Sequence, residues 1–94
     1  MEKYIFRVGS QENMKPMLMS GDEIACIKVD LETLKYYGGY IHYIEFTDGQ
    51  TTIRRVEDVG DNIKIKCDGD GMSQTIPKKY VQSIYRVVAS ARRY

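Results

Sequence analysis

The chain of 94 residues has no tryptophan, 2 cysteines, 2 prolines and 1 histidine, and each shortage removes a class of chemistry. His42, between Ile41 and Tyr43, leaves a zinc hydrolase short of ligands and a His-based nucleophilic triad without support. Cys26 and Cys67 stand in strand-like surroundings with no partner at metal-ligand spacing, so two buried thiols are expected rather than a disulfide. No metal and no cofactor are expected. No apolar run approaches the roughly 20 residues of a membrane span. The amino terminus, where Glu2-Lys3 precedes only Tyr4-Ile5-Phe6 before Arg7, does not look like a signal peptide, and none is expected. These features predict a cytoplasmic chain that does not engage a membrane.

Charge of one sign is also missing. The 14 basic and 13 acidic residues are interspersed, whereas an electrostatic footprint for nucleic acid needs clustered Lys and Arg. Lys78-Lys79 and Arg92-Arg93 are read as solvated surface; the other tight basic pair is Arg54-Arg55. Glycine is plentiful, but Gly9, Gly38-Gly39 and Gly60 do not open a helix after a strand at phosphate-binding spacing. Asp68-Gly69-Asp70-Gly71 lacks the further oxygen ligands and closing glutamate of a calcium loop and is read as a hairpin tip.

What remains is strand. Ile24 to Val29, Tyr40 to Phe46, Thr51 to Val56, Asn62 to Cys67 and Ser83 to Ala89 are rich in β-branched and aromatic residues with period-2 character. Asp48-Gly49 lies between two of these runs, a strong hairpin signal because the turn needs positive φ. Helix is confined to a short turn after Asp30 that Gly38-Gly39 ends, leaving no room for a helix-turn-helix. The expectation is one domain over residues 1–94, an all-β, small, strongly bent barrel or sandwich. A domain of this size buries only about two-thirds of its unfolded surface, so its stability is modest. Of the 8 tyrosines, Tyr36, Tyr37, Tyr40 and Tyr43 crowd one turn and strand, either as the wet rim of a small core or as an interaction surface.

One stretch carries more than patterning. Phe6-Arg7-Val8-Gly9 leads into Asn13-Met14-Lys15-Pro16, and Gly21-Asp22 follows. Further on, Asp48 to Gln50 turns into Thr51-Thr52-Ile53-Arg54-Arg55-Val56. In order and spacing this resembles the carboxy-terminal domain of LexA and phage-repressor type self-cleaving serine peptidases, part of the signal-peptidase-like clan. In that family a serine precedes the methionine of a Ser-Met-x-Pro motif, and a Lys-Arg pair supplies the catalytic lysine. The resemblance places Asn13 at the serine and Arg54 at the lysine. It gives Met14, Pro16, Gly21, Asp22 and Arg55 structural roles. It also implies that Asn13 and Arg54 lie close together.

Arginine cannot act as the neutral base this mechanism requires, since its pKa above about 12 keeps it protonated. Asparagine is no nucleophile, and the family's cleavable Ala-Gly or Cys-Gly bond is absent from the chain. The expectation is therefore a catalytically inactive LexA-like regulatory and dimerisation domain from a phage-repressor-like transcription regulator. The resemblance implies a homodimer that meets DNA only through a separate domain not in this chain. Two alternatives stay open. One is an active serine peptidase of the same clan with a shifted nucleophile, Ser10 or Ser20, served by Lys15 or Lys28. The other is a plain β-barrel interaction module.

Overall fold

A computed structural model describes residues 3–9, 14 and 18–91. Seven strands form one antiparallel sheet: β1 (Lys3–Arg7), β2 (Glu23–Val29), β3 (Ile41–Phe46), β4 (Thr51–Asp58), β5 (Asn62–Lys66), β6 (Ser73–Pro77) and β7 (Val81–Ala91). Their order is β1-β2-β7-β3-β4-β5-β6, so the last strand in sequence lies between β2 and β3. The chain is all-β as the patterning requires, and the helical content of the described residues is two 3-10 turns, Leu34–Tyr37 and Lys78–Tyr80. Strands β1 and β6 have no counterpart in the sequence reading. Tyr4-Ile5-Phe6 is apolar without alternation, and β6 is polar and closes on Pro77, so neither shows the period-2 signal.

Turn chemistry sets the hairpins. Gly49 (φ +89) takes the positive-φ position between β3 and β4, and Asp48 Oδ1 accepts from the Gln50 amide at 2.9 Å. Phe46 and Gln50 close the loop through a 2.8 Å backbone bond. The Asp68–Gly71 segment is a turn between β5 and β6, closed by the Gly71 amide on the Cys67 carbonyl. After Asp30 it is the backbone carbonyl, not the carboxylate, that accepts from Thr33.

Two hydrophobic clusters lie on opposite faces of the sheet. Val29, Leu34, Ile44, Val56, Ile63, Ile65, Val81 and Ile84 form one; Val8, Met14, Leu18, Ile24, Cys26 and Ile53 form the other. Long strands change the face they bury part-way along. Cys26 and Val29 on β2, and Ile53 and Val56 on β4, are buried three apart, which breaks strict alternation and assigns each pair to both clusters. A strong curl accompanies the switch. Phe6 and Tyr43 stack with ring centroids 3.8 Å apart, although β2 and β7 separate their strands. Three flat inter-strand steps would hold those backbones roughly 14 Å apart, beyond the reach of two rings, so the sheet wraps around this face. Tyr4 and Tyr85 complete the aromatic layer at 4.9 Å.

Ile84 on β7 pairs with Val29 on one side and Ile44 on the other, and all three are buried in one cluster. Ile84→Ala is expected to lower unfolding free energy by roughly 2–5 kcal/mol in urea denaturation, as a buried Ile truncation does. Ile5→Ala, at an edge position 62% exposed, is expected to change it by less than about 0.5 kcal/mol.

Candidate functional site

The segment joining β1 to β2 is fastened at both ends. The Val8 amide donates to the Asp22 carbonyl at 2.8 Å, and the Gly21 amide to the Val8 carbonyl at 3.0 Å, so the β1–β2 ladder extends into the loop. Gly21 turns at φ +88, a conformation costly for any residue with a Cβ. The Asp22 carboxylate is buried and accepts from the Met19 amide at 2.9 Å. Met14 is fully buried among Val8, Leu18, Ile24, Cys26 and Ile53, and its Sδ lies 3.5 Å from the Asp68 amide as a weak acceptor. Asn13, Lys15 and Pro16 lie outside the described residues.

The Arg54-Arg55 pair sits where β4 changes its buried face. Period 2 puts Arg55 on the side of Ile53 and Arg54 on the side of Val56. Each arginine therefore faces a different opening. Arg55 Nε donates to Asp68 Oδ1 at 2.7 Å and its Nη1 to the Gly39 carbonyl at 2.9 Å. Because Asp68 also meets Met14, these contacts run from the anchored loop through Asp68 to Arg55 and the Gly39 turn. Arg54 Nη1 donates to the Ile53 carbonyl at 2.7 Å. Its side chain lines a groove of about 700 Å3 with Phe46, Gln50, Thr52, Ile65 and Tyr80. A second opening, with Cys67, Asp70 and Ser73 in its wall, shares Arg54, Ile65 and Gln74 with the first.

Thus the two positions singled out by the resemblance are described unequally. Arg54 stands in an open groove along β6, whereas Met14, the described neighbour of Asn13, packs on the opposite side of β4 beside Ile53. The separation of Asn13 from Arg54 falls outside the described residues. No lysine or histidine lines either opening at Arg54 among the described residues. Of the shifted pairs, Ser10 and Lys15 are outside the described residues, and Ser20 and Lys28 are exposed and line neither opening.

A buried polar group that the sequence reading left as a lone histidine also shapes this face. His42 pairs in register with Arg54 on β4 and with Arg86 on β7, so the imidazole lies between two cationic residues. Nδ1 is 2.8 Å from the Tyr40 carbonyl, which makes Nδ1 the protonated nitrogen. His42 Nε2 and Arg86 Nε are both buried with no hydrogen-bond partner among the described residues. The Arg86 guanidinium stacks on Tyr37 at 4.7 Å and reaches Tyr40 at 5.8 Å. Cys26 and Cys67 are both buried, and burial pushes the Cys26 thiol up to about 12.

Burial pushes His42 down to about 4; the Tyr40 carbonyl opposes this and the Arg86 charge adds to it. A histidine held neutral in the fold, with an ordinary value of 6.5 when unfolded, leaves more protons on the unfolded chain. Its contribution is full above about pH 6.5 and is lost as pH falls towards 4, a loss of roughly 3 kcal/mol over that window. His42→Asn, which keeps an amide near Nδ1, is expected to flatten the slope of unfolding free energy between pH 6.5 and 4.5 in urea titrations. An unchanged slope would assign the acid sensitivity to another group. Comparison of the chain with known proteins finds no matching family model and no matching curated sequence.

Proposed function

We propose that this chain is a catalytically inactive, LexA-like regulatory domain that self-associates and reaches DNA only through a separate domain. The observation that carries the reading is Arg54, a permanently protonated guanidinium in an open groove where the resemblance expects a base. A lysine there could lose its proton after desolvation and serve a serine; arginine can only donate hydrogen bonds. The order of the loop features supports the same reading. Met14 anchors the loop in the core, and Gly21-Asp22 turns it into β2, roles that outlast any chemistry. Set against it, Met14 shares the face of Arg55 and not that of Arg54, so the test varies both arginines.

The unaltered protein is expected to be inert to a fluorophosphonate label and not to cleave itself at alkaline pH. Asn13→Ser combined with Arg54→Lys is expected to gain weak labelling, whereas either single change stays inert for want of the other partner. Labelling of Asn13→Ser with Arg55→Lys instead would move the base position to Arg55. Labelling of the unaltered chain would replace the inactive reading with a shifted nucleophile.

The edge of β7 supports self-association. Its pairing with β3 stops at Arg86, while its pairing with β2 runs on to Ala91, so among the described residues Val87 to Ala91 offer one unpaired edge. Val88 to Ala91 are exposed and carry no charge and no proline, the devices that protect an edge from a second strand. A two-fold antiparallel pairing of this segment is the proposed contact. Sedimentation equilibrium is expected to show a dimer for the unaltered chain and a monomer for Val88→Lys. A monomer at high micromolar concentration would remove the dimer and leave the question of inactivity untouched.

A further inference from the structure

Across the β4–β5 ladder, Arg55 is the register partner of Lys66, and Glu57 of Lys64. All four side chains leave the same face, and with Gly39 they line a cavity of about 230 Å3. Like charges in directly opposed positions destabilise a sheet unless a charge of the other sign stands near them. Asp68 supplies one such charge through its bond to Arg55. Neither the Lys64 nor the Lys66 side chain has an ion pair or hydrogen bond among the described residues. With Glu57 and Asp68 both counted, the cluster keeps an unanswered positive charge.

A row of lysines on a strand is ordinarily just a solvated face. Arg55 makes this row different. Its guanidinium is fixed by the Asp68 carboxylate and the Gly39 carbonyl, which use two of its five N–H donors and leave the rest for a ligand. The side chain is 34% exposed and lines the cavity. A fixed planar fork beside two exposed ammonium groups suits a tetrahedral oxyanion. The fork orients it with little entropy lost, and the lysines close over it. At about 30 Å3 per water, the cavity has the volume of several waters, enough for a phosphate group and its neighbour.

We infer that the Arg55–Lys64–Lys66 cavity is a binding site for a phosphate group, free or carried by a small molecule. The inference does not rest on the peptidase-like reading. Inorganic pyrophosphate is the probe, titrated into nitrogen-15-labelled protein at constant ionic strength with sodium chloride as reference. The amides of Gly39, Glu57, Lys64 and Lys66 are expected to shift along a saturating curve. Lys64→Gln and Lys66→Gln, both at exposed positions where folding is not at stake, are each expected to weaken binding about tenfold or more, and Lys79→Gln to leave it unchanged. A nucleoside diphosphate that binds no tighter than pyrophosphate assigns the site to the phosphate alone; tighter binding assigns it to a nucleotide. Shifts that never saturate, that chloride reproduces, or that survive both lysine substitutions would reduce the cavity to general charge screening and overturn the site.

Discussion

The fold depends on β7 lying in the middle of the sheet. That strand joins the β1–β2 hairpin to the β3–β6 meander, and its neighbours on both sides come from distant parts of the sequence. Val29, Ile84 and Ile44 are aligned across it on one face, and Lys28, Tyr85 and Tyr43 on the other. Neither half can complete its core until the carboxy-terminal strand arrives. Pairings of such sequence separation cost loop entropy before they return contact energy, so folding is expected to be slow for a domain of this size.

Because β7 must serve both halves, the strands that meet around it bury first one face and then the other. At the point of exchange each face borders an opening, and that is where the chain places charge. Arg54 and Arg55 straddle the exchange on β4 and open onto different cavities. His42 and Arg86 are packed there too: the Tyr40 carbonyl accepts from His42 Nδ1 and the Tyr37 ring faces the Arg86 guanidinium, while His42 Nε2 and Arg86 Nε have no hydrogen-bond partner among the described residues. A buried imidazole with an orphaned nitrogen costs stability as soon as it takes up a proton.

The same geometry decides what the loop between β1 and β2 can do. Its fixed points, Met14 in the core and the Gly21-Asp22 turn, act by packing and backbone bonding. They hold whether or not a nucleophile stands beside Met14. Arg54 lines the groove along β6 as a hydrogen-bond donor that stays charged.

The sequence by itself determined the all-β class, the hairpin at Asp48-Gly49 and the burial of both cysteines, because these follow from local alternation, positive-φ glycine and the apolar surroundings of the thiols. It also marked Met14, Gly21, Asp22 and the Arg54-Arg55 pair as residues to watch. It missed β1 and β6, whose strand character comes from pairing with β2 and β5 rather than from their own residues. Only the tertiary structure decided which opening each of Arg54 and Arg55 lines, that Asp68 links Arg55 to Met14, and that Lys64 and Lys66 close a cavity with Arg55. The reason is register: alternation says which residues of one strand share a face, but which face is buried, and what stands opposite, is set by strands remote in sequence.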